Sequence, residues 1–317
     1  MPLRLARAAA IVSIAASHTI TSGKFRLRLW SRMPAIRHVL FPLDFSAAGL
    51  AATPYVRTLA NQFHAKVTVL SVVPPAWVTP PGLIPPPVGS DPAALQNALQ
   101  AHLDKLPLDG FEQPVARLTA LGDPAVKIAE FSRDGVVDLV MLPTHGHGLF
   151  RGLLLGSVTS KVLHDVHCPV WTAAHAANQR AQEVPGKILC ALDGRESSLA
   201  LARWAFDFSR QVGASLQLLH VVRTISDWLA LASEQALQEE LRTEARNRIE
   251  GMLKPAGLDV PLRIAVGEIV TTITEEARQE GADLIMLGRG PMHETLGRLR
   301  THAHGIIQRS PCPVLSV

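Results

Sequence analysis

Between residues 143 and 163 the chain reads Pro143-Thr144-His145-Gly146-His147-Gly148, then, after an apolar stretch, Gly156-Ser157-Val158-Thr159 leading into Lys161, Val162 and Leu163. Gly146 and Gly148 let the backbone approach a bulky anion. A helix opening on glycine and hydroxyl residues adds free N–H groups, a favourable dipole and side-chain donors. The chemistry inferred is a polyphosphate cradle. Serine at a helix start also caps it with no ligand at all, so the motif alone leaves both uses open. A second group is the carboxylate of Asp44, which closes the apolar run His38-Val39-Leu40-Phe41-Pro42-Leu43. An acceptor at a strand's carboxyl end is where doubly wound folds hold a sugar; otherwise Asp44 caps the helix beginning near Ser46.

Other chemistries find little footing. Neither a Walker phosphate loop, a Gly-x-Ser-x-Gly elbow nor a His-Glu-x-x-His zinc motif occurs. The denser groups among the 13 histidines, His145/His147, His164/His167 and His302/His304, lack zinc spacing, and no metal is expected. His145 is assigned to the phosphate loop. The three cysteines, Cys168, Cys190 and Cys312, form no CxxC pair. They are read as buried structural thiols in a reducing cytoplasm.

The elements that must position these groups come in two copies. Arg37 to Asp44 matches Gly186 to Asp193, 149 positions later, and Val67–Val73 matches Leu216–Val222. Asp138–Leu142 matches Asp283–Leu287, and Cys168-Pro169-Val170 matches Cys312-Pro313-Val314. A period this long means a duplicated domain, not a solenoid. Residues 33–175 and 186–317 are expected to be the two domains, divided in the polar stretch from Ala173 to Pro185.

Within each copy short, nearly continuous apolar runs alternate with helix-period segments, as strands buried on both faces require. Strands are expected near 37–43, 66–73, 114–121, 138–142 and 169–173 of the first copy. Asp91 and Pro92 open a helix carrying Leu95, Leu99, Leu103 and Leu106; its counterpart carries Leu237, Leu241, Ala245 and Ile249. The expected fold is α/β: two tandem doubly wound domains, each a five-stranded parallel sheet of order 3-2-1-4-5 with helices on both faces. Such sheets bind ligands beyond the carboxyl ends of their strands, where the order reverses. The stretch from Pro74 to Pro92 holds eight prolines and is expected to be a loop overhanging that crevice, whether as a lid, a docking element or a plain insertion.

Composition agrees with a two-domain globule. The 317 residues are 47% hydrophobic and 18% charged, which excludes a disordered chain. A net charge of +4 is too small for a dedicated nucleic-acid binder. The longest uncharged apolar run, Ala8 to Ser17, is about half of what a bilayer span needs, so no membrane partner is expected. Residues 1–32 carry Arg4, Arg7, Arg26, Arg28 and Arg32 and no acid. They read either as a targeting peptide or as an extension upstream of a true start at Met33, and the second reading is adopted.

Gly146, nine residues, Gly156-Ser157, and eleven positions on Cys168-Pro169-Val170 together resemble the nucleotide-binding signature of the universal stress protein family, and the duplication resembles its tandem members. The likeness runs from Met33 to Val317. Pro143 stands where the family pattern has its first glycine, keeping the carbonyl but removing an N–H. The resemblance implies that Asp44 holds the ribose hydroxyls, with Pro42 and the Val72 backbone around adenine and Gly146, Gly156, Ser157 and Val158 around the phosphates. The neighbours Leu43, Leu142, Pro143, Thr144, His145 and Thr159 complete the set; Gly122-Asp123-Pro124 reads as a turn into the next helix, with Gly122 lining the pocket as its second use. ATP, with or without Mg2+, is the implied ligand.

The second copy keeps Asp193, the strand end His220-Val221-Val222 and Gly267-Glu268 but has Arg300-Thr301 where Gly156-Ser157 stand, so its cradle is lost; Arg289, Arg298 and Arg300 are either solvated or grip another anion. The resemblance implies an ATP-binding, stress-responsive cytoplasmic protein whose final strands pair within the chain as a pseudo-dimer, homodimerisation being a further option. Its alternatives are a slow ATP-hydrolysing or autophosphorylating enzyme, and a scaffold that binds no nucleotide.

Overall fold

The computed structural model describes residues 35–74, 91–133, 137–143, 155–173, 184–223, 233–289 and 298–317, without the side chains of 233–235 and 298–301. The first half comprises β1 (His38–Pro42), α1 (Ala47–Gln62), β2 (Lys66–Val73), α2 (Pro92–Asp104), β3 (Val115–Leu121), α3 (Pro124–Arg133), β4 (Leu139–Pro143), α4 (Ser157–Asp165) and β5 (Val170–Ala173). The second repeats it as β6 (Lys187–Leu192), α5 (Ser197–Val212), β7 (Ser215–Val222), α6 (Ser233–Leu253), β8 (Leu262–Val266), α7 (Ile269–Gln279), β9 (Leu284–Leu287), α8 (Arg298–Arg309) and β10 (Val314–Ser316).

Strands fall within a residue or so of the apolar runs, and the central ones are buried on both faces: Val39, Leu40 and Phe41 of β1 are wholly inaccessible. Helices start where the sequence supplies an acceptor. Asp91 accepts from the Ala93 amide ahead of Pro92, and Glu268 accepts from the amides of Val270 and Thr271. The heptad-like Leu237 of α6 is exposed, whereas Ala245 and Ile249 are buried, so only the second part of that helix packs on the sheet.

All ten strands form one sheet in the order β3-β2-β1-β4-β5-β10-β9-β6-β7-β8. Each half is parallel with the expected 3-2-1-4-5 order, and the halves join through an antiparallel β5–β10 pair with Leu315 opposite Trp171. Thr172 Oγ1 donates to the Val314 carbonyl at 3.1 Å across this seam. The pairing covers what would be two open edges, so the pseudo-dimer lies within the chain.

Residues of α1, α2, α5 and α6 form one core that runs across both halves. Phe208 of α5 lies 5.7 Å from Phe63 and 6.5 Å from Trp171, both in the first half, and stacks on Trp204 at 5.4 Å. Alternate strand residues such as Leu40, Val140 and Val170 turn to the other face, where α3 and α4 cover the first half and α7 and α8 the second.

Candidate functional site

β1 and β4 lie side by side in parallel, Val39 opposite Leu139, and the strand order reverses between them. Asp44 therefore leaves the sheet at the same end as Pro143, the last residue of β4. The turn after β1 is held from below. Leu43 donates its amide to the Leu70 carbonyl, and Ser71 Oγ donates to the Leu43 carbonyl at 2.8 Å. Phe45 then takes φ of 58°, a left-handed conformation unusual for an aromatic residue, with its ring edge-on to His102 at 4.5 Å. Asp44 Oδ1 accepts from the Ser46 amide at 3.0 Å, and Ser46 Oγ accepts from the Gly49 amide. The cap of α1 is thus Ser46, not Asp44, which is exposed beyond the carboxyl end of β1.

On the β4 side, Gly156 caps α4 with no side-chain hydrogen bond, and Ser157 is exposed while Val158 is half-buried. The amides of a helix's first turn have no partner within the helix, so this end offers donors and positive potential. Thr159 is buried, and its Oγ1 donates to the Pro143 carbonyl at 3.1 Å. That bond ties the first turn of α4 to the end of β4. Leu43 and Leu142 are buried, so each can offer only its backbone; Pro42 and Val72 are half-buried, and Val72 pairs with Ala120. Thr144, His145 and Gly146 lie outside the described residues. So does nearly all of the proline-rich loop.

Gly122 follows β3 with φ of 137°, a region that favours glycine, and its amide bonds the Val73 carbonyl. Asp123 next to it caps α3 through Oδ1 and pairs through Oδ2 with Lys161 of α4 at 3.1 Å. The turn reading of Gly122-Asp123-Pro124 is what the structure has.

The second half builds the same turn with other residues. His220 replaces Ser71, its Nδ1 bonding the Leu192 carbonyl at 2.9 Å. Burial pulls its pKa below 6.5; the Leu192 bond opposes this, Arg248 adds to it, and Asp193 opposes it. Asp193 Oδ1 accepts from Ser198 Oγ at 2.7 Å and from the Arg195 amide at 3.0 Å. Its carboxylate is therefore engaged by its own loop. Residues 290–297 and the side chains of Arg298 and Arg300 lie outside the description.

Arg289 corrects the sequence reading. It is neither solvated nor an anion grip: the half-buried guanidinium donates across the seam to the Leu163 carbonyl at 3.3 Å, Val166 at 2.8 Å and Cys168 at 2.5 Å. Cys190 and Cys312 are buried and Cys168 is half-buried. Burial pushes the Cys168 thiol up to about 11 and that of Cys312 up to about 12, so neither is a thiolate at neutral pH. Among the described residues no helix is long and apolar enough to cross a membrane.

The sequence profile of the Universal stress protein family matches residues 35–173 and again residues 185–317. The chain belongs to this family. As a tandem universal stress protein it is similar to one from Mycolicibacterium smegmatis, 24% identical over 258 residues that make up 79% of this chain and 86% of that one. A universal stress protein of Methanocaldococcus jannaschii is 32% identical over 140 residues, 42% of this chain and 79% of its own length. Among solved structures, a universal stress protein from Archaeoglobus fulgidus superposes with a TM-score of 0.62 at 20% identity, over 90% of this chain and 97% of that one. That likeness speaks to the fold, including its tandem arrangement.

Proposed function

We propose that this tandem universal stress protein binds one adenine nucleotide, ATP, in its first half, and that the second half binds none. In this reading Asp44 receives the ribose hydroxyls, the first-turn amides of α4 and the Ser157 hydroxyl receive the phosphates, and Pro42 and Val72 border the base. Residues 33–175 act as the nucleotide domain and 186–317 as its partner domain. The protein serves as a stress-responsive binding protein of the cytoplasm.

The observation that supports this most directly is the shared position of Asp44 and Gly156. A carboxylate suited to a sugar and a helix start without a side-chain cap stand at the carboxyl ends of adjacent strands, on either side of the point where the order reverses. A triphosphate nucleoside needs both kinds of group at once, and neither its sugar nor its phosphates demand a buried charge there. The second half differs at this carboxylate: Asp193 accepts from the Ser198 hydroxyl as well as from the Arg195 amide, and the place of Ser198 beside Asp44 is taken by Gly49, which has no hydroxyl.

The test is to identify the small molecules that copurify with the protein by mass spectrometry and to titrate ATP into the nucleotide-free form by calorimetry. One ATP per chain, lost in Asp44→Ala and kept in Asp193→Ala, is the expected result. Absence of binding in the wild-type chain would overturn the reading.

A further inference from the structure

The last turn of a helix leaves carbonyls without partners, and one at the end of α4, that of Leu163, is received by the other half of the molecule together with two in the turn beyond it. Arg289 follows β9, and its amide donates to the Val317 carbonyl at 2.9 Å, so its backbone is fixed in the second half. Its Nη1 reaches the carbonyls of Leu163 and Val166, and its Nη2 that of Cys168. The guanidinium thus closes the C-terminal end of α4 and the turn that feeds β5. A cation there also favours the helix dipole.

The matching end of α8 is built differently. There Ser310 Oγ donates to the Cys312 carbonyl at 2.6 Å, so the second half satisfies its own turn. The residue in Ser310's place in the first half is Val166, which is buried and has no side-chain donor. The Val166 amide closes the helix onto the Val162 carbonyl, and the carbonyls of Leu163, Val166 and Cys168 are met from the other half by Arg289.

The other end of α4 is the start at Gly156 and Ser157. Nine residues separate the ends by about 13 Å of helix, short enough to move as one body. We propose that Arg289 is a positioning residue through which the second half fixes α4 of the first, and with it the amides that meet the phosphates. This rests on the nucleotide reading given above. The second half, on this view, contributes to binding as the support of the first site.

The test uses the full chain as wild type, Arg289→Met and Arg289→Lys. Affinities for ATP and for adenosine are measured by calorimetry well below the unfolding midpoint, and amide exchange is followed over residues 157–165. Losing a charged donor shared by several carbonyls is expected to weaken ATP binding about tenfold in Arg289→Met. Adenosine, which lacks the phosphates, should bind as before, and the amides of α4 should exchange faster. Arg289→Lys, which keeps the charge but reaches fewer carbonyls, should fall between. An equal loss for ATP and adenosine, or a lower midpoint with ATP affinity unchanged, would overturn the proposal. If the wild-type chain binds no ATP, the nucleotide reading fails, and exchange alone decides whether Arg289 fixes α4: unaltered protection in Arg289→Met means that it does not.

Discussion

Ser198 Oγ donates to Asp193 Oδ1 at 2.7 Å, and the residue in the matching place beside Asp44 is Gly49. The duplication thus runs a controlled comparison within one chain. A Cβ on Gly49 would meet Asp44 Oδ1 at 3.0 Å and Leu43 Cδ1 at 3.1 Å. Gly49→Ser should therefore both crowd the carboxylate and offer it the hydroxyl that engages Asp193. We expect ATP affinity to fall about tenfold, the worth of one good hydrogen bond to a charged group, with Ser198→Gly leaving it unchanged. Isothermal titration of both variants checks this. An unaltered affinity in Gly49→Ser would remove Asp44 from the binding site.

His220 should make stability depend on pH. Its folded-state pKa lies below 6.5 because burial disfavours the charged ring, so the unfolded chain binds the proton more readily. The contribution is complete above 6.5 and is lost as pH falls from there through the folded value. Ser71 makes the equivalent bond to the Leu43 carbonyl without a titrating group. The unfolding midpoint should accordingly drop between about pH 7 and about pH 5, and drop less in His220→Ser. Parallel curves for the two proteins would show that another group titrates.

Most of the architecture was legible because it rests on burial. Strands covered on both faces cannot hide their apolar runs, and a duplicated order of such runs fixes a duplicated sheet. The place of Asp44 followed from the same logic, and the Gly49/Ser198 difference was open to any reader of the 149-residue offset. Arg289 was not legible in the same way. Its acceptors are backbone carbonyls more than 120 positions earlier, and a carbonyl leaves no trace in residue type. Only Val166 standing where Ser310 recurs hints that a donor must come from elsewhere. The left-handed turn at Phe45 likewise carries no glycine to announce it.

Asp123 separates a cap from an ion pair. Its carboxylate accepts from the amides of Ala125 and Val126 and also meets Lys161, whose side chain is largely exposed. Burial pushes its pKa up, but the Val126 bond, Lys161 and the Ala125 bond together hold it below 3.8, so its contribution is lost only as pH falls below that value. Capping bonds are worth about 1 kcal/mol, and exposed ion pairs a fraction of that. Urea unfolding should therefore find Asp123→Ala about 1 kcal/mol less stable and Lys161→Met nearly unchanged. Equal losses would mean that the ion pair, not the cap, is what matters.

Phe208 tests whether the two halves unfold as one. It is fully buried, and two of its ring neighbours, Phe63 and Trp171, come from the first half while Trp204 comes from the second. Phe208→Ala leaves a cavity in a core that both halves share, at a cost of about 3–5 kcal/mol. That is a large fraction of a typical domain's stability. Because the lost contacts belong to both halves and the β5–β10 seam lies beside them, scanning calorimetry should show a single transition moved to lower temperature. Two transitions, with only one of them moved, would show that the halves unfold independently and that the continuous sheet does not make them one cooperative unit.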